Sequence, residues 1–228
     1  MHIRYPLIFL PKALDCNDDL IDLHIVELDT NIALKDWDEE VQPVIDSLDK
    51  PRLDKNWSWV KNWQVAKRLT KASGQNLKVF ATYVYNRKSR PVLFSIMIAS
   101  TGYTHLNDKS KKSTFVWWLS KAPSQYLTQN LVDTKKLPKV IPINVDTAII
   151  DSFRNRYDGR IGLHADSLGG QELMKKYRNA GLNNLPSNVS LPRLRKLQGF
   201  QNARGFSKLT QGADGSPHNF PSPALCVS

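Results

Sequence analysis

Hydrophobic and polar positions along the 228-residue chain fall into blocks with two different periods, and each change of period marks a new element. Residues 20–28 read as a strand. Residues 34–48 carry Leu34, Trp37, Val41, Val44, Ile45 and Leu48 at helical spacing, with Pro43 as an interruption. A turn-like link over 51–54 leads to a predicted helix over 57–69, rich in Lys and Arg. Trp57, Trp59 and Trp63 cannot share one narrow stripe of that helix, so the reading is a core-facing pair with one ring left at the surface or lining a groove. Two apolar runs, 77–85 and 91–100, are joined by Asn86, Arg87, Lys88 and Ser89 and predict a hairpin. A third strand over 115–119 completes an antiparallel meander. Val145, Ile149, Phe153 and Tyr157 then recur every four positions and predict a helix over 144–158, with Asn144 as N-cap and Asp146 in the first turn.

The clearest local pattern follows. In 160–165, Ile161, Leu163 and Ala165 alternate with Gly162 and His164, as in a strand with one buried face. Asp166, Ser167, Gly169 and Gly170 break that period. From Gln171 onward Leu173, Tyr177 and Ala180 fall at i, i+4 and i+7, while Lys175, Lys176 and Arg178 take the other faces. Gly181 suits the left-handed residue that ends a helix. His164 reads either as a base or as a hydrogen-bonded structural histidine, and Tyr177 either as a functional hydroxyl or as a core ring with its hydroxyl at the edge.

A strand reading GRIGLHA, followed by a helix that ends Tyr177, Arg178, Asn179, Ala180, Gly181, Leu182, resembles the C-terminal half of the GNAT acetyltransferase superfamily. The resemblance in element order covers residues 77–186, and in motif 159–182. It implies an α+β fold: a mixed, mostly antiparallel sheet, splayed open and flanked by helices, with acetyl-CoA entering the gap. It implies that Tyr177 is the general acid that protonates the departing thiolate. Backbone N–H groups of Ser120, Lys121 and Ala122 would polarise the thioester carbonyl. The family's pyrophosphate loop maps onto Lys139, Val140, Ile141, Pro142, Ile143 and Asn144, with Val145 following; N–H groups at a helix start hold the phosphates. Lys139 keeps the positive charge of the first position, whereas Pro142 and Asn144 replace the two small residues. The family's proton-draining carboxylate has no counterpart in 114–123, and Asp133, Asp166 and Glu172 carry no supporting pattern. The implied activity is direct acetyl transfer to an amine, borne by a small molecule, a protein or an RNA. The alternative is an inactive GNAT-like module that binds nucleic acid or an acidic protein.

Charge is unevenly placed. The formal total is +11, yet residues 1–50 hold four basic residues against twelve acidic ones, about −8, which leaves 28 basic and 9 acidic residues, about +19, in 51–228. The organisation read from this is an acidic N-terminal part over 1–76, a core over 77–186, a basic extension or final strands over 187–210 and a flexible tail over 211–228. The basic body suits an anionic partner such as a polyphosphate cofactor. No apolar run approaches the length of a membrane span, the first ten residues lack the long apolar stretch of a secretory signal, and Cys16 and Cys226 form neither a disulfide framework nor a metal site. These features predict a protein of the reducing cytoplasm, and they leave its oligomeric state open.

Overall fold

A computed structural model describes residues 12–14, 20–28, 32–71, 73–85, 90–106, 108–130, 137, 139–164, 170–184 and 224–227. Strands β1 (Lys12–Leu14), β2 (Leu20–Leu28), β3 (Asn76–Tyr85), β4 (Pro91–Thr104), β5 (Lys112–Lys121), β6 (Ile161–His164), β7 (Asn183–Asn184) and β8 (Ala224–Val227) form one sheet in the order β1-β2-β3-β4-β5-β6-β8-β7. Every neighbouring pair is antiparallel except β5 and β6. A parallel pair cannot be closed by a hairpin, and helix α5 (Val140–Arg154) lies within the crossover between those strands. The fold is the expected α+β class, mixed, mostly antiparallel and GNAT-like in layout.

The meander β2 to β5 follows the predicted apolar runs because its long strands are buried on both faces; β4 is buried at eleven consecutive positions from Val92 to Gly102 except the last. One face carries α1 (Ile32–Asp36), a π-helical turn (Trp37–Val41), α2 (Gln42–Asp46) and α3 (Trp59–Lys71). The predicted interruption by Pro43 takes the form of that π turn. Proline lacks an N–H and crowds the carbonyl four residues back, so the helix widens just before it. Trp37 and Trp59 are fully buried with rings 5.9 Å apart, and Asp38 caps α3 by accepting the N–H groups of Trp59 at 2.7 Å and Val60 at 3.2 Å.

Helix α5 covers the other face and departs from the expected pattern. It starts at Val140, with Lys139 in an extended N-cap conformation, and not at Asn144. Its buried side is Val140, Asn144, Thr147, Ala148 and Asp151, while Phe153 is 61% exposed and Tyr157 lies beyond the helix end. Asp146 is exposed and past the first turn. The polar residues on the buried side have partners: Asn144 and Thr147 donate to the carbonyls of Val140 and Ile143, at 3.2 and 2.8 Å. Asp151 accepts Lys78 Nζ at 2.7 Å and the Thr114 hydroxyl at 2.8 Å, and Lys78 also pairs with Glu27 at 3.0 Å. This network joins α5 to β2, β3 and β5 through the floor of the sheet.

Helix α6 (Gly170–Asn179) buries Met174 and Tyr177, and Gly181 closes it at φ +87°, as its position predicts. The last four described residues correct the expectation of a tail throughout 211–228: 224–227 insert as β8 between β6 and β7. The basic stretch 191–209 and the turn 165–169 lie outside the described residues.

Candidate active site

Strands β5 and β6 pair only at Thr114–Ile161, Phe115–Gly162 and Val116–Leu163. β5 continues for five more residues, to Lys121, with no partner on that side among the described residues, and the sheet opens there. The opening is a cavity of about 750 Å³, within the range of small-molecule sites. Four separate stretches wall it: the link before α3 (Arg52, Leu53, Asp54, Trp57), the end of β5 (Trp117 to Lys121), the start of α5 (Lys139 to Pro142) and one side of α6 (Leu173, Lys176, Tyr177, Asn179, Ala180).

Register decides which backbone groups look into the cavity. Ala122 donates its N–H to the Phe94 carbonyl at 3.0 Å, and Ile96 pairs with Ser120. In an antiparallel ladder such groups alternate, so the N–H groups of Ser120 and Ala122 point at β4, and those of Leu119 and Lys121 point into the opening. The expectation that 120–122 present their N–H groups together is therefore corrected: of the three, Lys121 does, and Leu119 is the second donor. Ala122 is buried and does not line the cavity.

The β5 end is held from the link. Arg52 donates to both carboxylate oxygens of Asp54, at 2.8 and 2.6 Å, and to the Lys121 carbonyl at 2.8 Å. The Ser120 hydroxyl donates to Asp54 Oδ2. Burial, and then the charge of Arg52, push the Lys121 ammonium below the ordinary lysine range, and it lies 5.5 Å over the Phe94 ring. Among the described residues Asp54 is the one carboxylate in the wall, against Arg52, Lys121, Lys139 and Lys176. The cavity is a basic site.

Of the residues expected at the helix start, Lys139, Val140 and Ile141 line the cavity, and their N–H groups belong to the first turn, where no intrahelical acceptor exists. Pro142 falls in that same turn, where a missing N–H breaks no helical bond. Ile143, Asn144 and Val145 are buried inside the helix and do not line the cavity, because the helix begins four residues earlier than its apolar spacing suggests. Tyr177, 5% exposed, lies in the wall formed by α6, as expected of a functional tyrosine and also of a core ring. Trp57 is the tryptophan in the cavity wall, Trp59 is core and Trp63 is partly buried against it.

Arg52, Asp54, Trp117, Trp118 and Lys176 were not singled out from sequence. The available signal was an Arg-x-Asp link between two apolar helices, and a Trp-Trp pair where a β-bulge shifts the register after Ala99 and Ile98. No described helix is long and apolar enough to cross a membrane. Comparison with protein-family models, with curated proteins and with solved structures returns no match.

Proposed function

We propose that the chain is an N-acetyltransferase that moves the acetyl group of acetyl-CoA to an amine at the open end of β5. One observation carries this reading: residues scattered over positions 52–54, 117–121, 139–142 and 173–180 converge on one basic cavity at the opening of a mixed sheet. The cavity suits the donor chemically. The first-turn N–H groups of α5, with Lys139, offer an anion a helix start and a positive charge. Apolar walls from Trp117, Leu119, Val140 and Leu163 fit an uncharged arm, and the N–H groups of Leu119 and Lys121 are the donors that amides or a carbonyl on that arm would meet.

Bound acetyl-CoA supplies an acetyl group activated as a thioester. The chain's own work is then placement and proton handling. Lys121 and Leu119 hold a carbonyl oxygen through backbone N–H groups that need no reorganisation. A neutral amine forms an N–C bond as the C–S bond breaks, and Tyr177 gives its hydroxyl proton to the sulfur. The amine's surplus proton returns to Tyr177 through water, so no proton is gained or lost overall. The Arg52–Asp54–Ser120 clamp fixes the β5 end and acts by positioning.

Tyr177→Phe tests the assignment, because it removes the hydroxyl and keeps the ring. Turnover should fall by about 10² to 10⁴ with acetyl-CoA affinity nearly unchanged. A variant within a factor of about three of the parent, with an unaltered thermal melt, would assign Tyr177 to the core alone.

A further inference from the structure

The π turn presents Glu39 and Glu40 to solvent, with Asp36 one turn earlier on the same run. Glu40 accepts a hydrogen bond from the Tyr126 hydroxyl at 3.1 Å, which ties the turn to helix α4 (Ser124–Asn130). Acidic residues on a turn are ordinarily a solvated surface. The floor beneath them is not ordinary. Tyr83 is only 2% exposed, and its hydroxyl has no hydrogen-bond partner among the described residues. A buried hydroxyl left unpaired costs free energy and is rare in native structures. Burial first, then the charges of Asp36 and Glu40, raise the Tyr83 pKa well above the usual tyrosine value, so its oxygen lies within the field of those carboxylates.

A ligand that satisfies this arrangement is a donor with several N–H groups and a positive charge. An alkylammonium has three donors: enough for the carboxylates of Asp36 and Glu40 and the Tyr83 oxygen together. The ring of Tyr85, 37% exposed and 4.5 Å edge-on from His24, offers an apolar and π-rich side to methylene groups. A metal ion is a poorer fit, since no three His, Cys, Asp or Glu among the described residues are grouped to hold one.

The turn lies beside the cavity. Ala81 and Ser120 both pair with Ile96 and therefore share a sheet face, and Tyr83 is two residues on from Ala81 along β3. Gln42, immediately after the turn, donates to the Asp54 carbonyl at 2.8 Å, and Asp54 lines the cavity. Tyr126 follows Ser120 by six residues, three of them extended and three helical, which bounds the separation at roughly 15 Å. That is the reach of a short chain bearing two amines.

We propose that the acidic turn at Asp36 and Glu40, over the Tyr83 hydroxyl, holds one ammonium of an aliphatic diamine or polyamine whose other amine, neutral, enters the cavity as acetyl acceptor. This names the substrate class of the transfer reading and rests on it. The acidic turn and the basic cavity then serve two co-substrates of opposite charge.

Calorimetric titration of the full chain with spermidine, in the absence of acetyl-CoA, tests the site without relying on turnover. Saturable binding is expected, weakened about tenfold in Glu40→Gln and in Tyr83→Phe, with acetyl-CoA affinity unchanged in both. Tyr83→Phe should melt no lower than the parent, since its hydroxyl has no partner to lose. Absence of spermidine binding, equal binding in both variants, or equal binding of magnesium would overturn the site. Acetyl-CoA binding without spermidine binding sinks the amine site alone. Glu40-dependent spermidine binding in a chain that does not bind acetyl-CoA sinks the transfer reading, and the acceptor role with it.

Discussion

At the scale of single residues, two carboxylates decide much of the architecture. Asp151 is 1% exposed and holds Lys78 and Thr114 in the floor of the sheet. Burial alone would lower the Lys78 ammonium, but its hydrogen bonds and charge pairing with Asp151 and Glu27 outweigh that and hold it above the ordinary lysine value. The sign follows: this contribution is complete below about pH 10.4, the unfolded lysine value, and is lost as pH rises through the higher folded value. Denaturant midpoints should therefore fall in that alkaline range. Lys78→Met leaves Asp151 buried without its cation and should cost about 3–5 kcal/mol of stability in equilibrium unfolding. Asp54 plays the matching part at the cavity, where it fixes Arg52 and Ser120 across 66 to 68 positions of sequence. That contact could not be read from spacing, because nothing local in 51–54 signals a partner on β5.

At the scale of elements, strands were legible and one helix face was not. The runs 20–28, 77–85 and 91–100 are apolar because they are buried, and their boundaries fall within a few residues of those observed. Helix α5 misled because its buried side is partly polar: Asn144, Thr147, Asp151 and Ser152 satisfy themselves locally or through the floor network, so the core side does not look hydrophobic. The shift of its start from Asn144 to Val140 matters for function. It places Pro142 where no hydrogen bond is lost and brings the N–H groups of Val140 and Ile141 to the cavity. Lys139→Glu, at this helix's N-cap, reverses charge beside the proposed phosphate position and should weaken acetyl-CoA binding about tenfold or more, with a larger loss at low salt than at high salt. Calorimetry across two ionic strengths checks both parts, and unchanged affinity would move the phosphates elsewhere.

At the scale of the whole molecule, the chemistry is legible only after folding, since the cavity draws on four stretches spread from Arg52 to Ala180. The C-terminal pattern from Ile161 to Gly181 identified one wall, with Tyr177 on it, and left the opposite wall of Arg52, Asp54 and Trp57 unseen. The uneven charge acquires a spatial meaning in the same way: four cations and one carboxylate line the cavity, while Asp36, Glu39 and Glu40 front the neighbouring turn. The central claim is that this basic opening in the sheet is an acetyl-CoA site, and titration of the full chain with acetyl-CoA tests it most directly. Saturable binding of one molecule per chain, weakened by salt and by Lys139→Glu, is the predicted result. No saturable heat up to about 1 mM acetyl-CoA would contradict it.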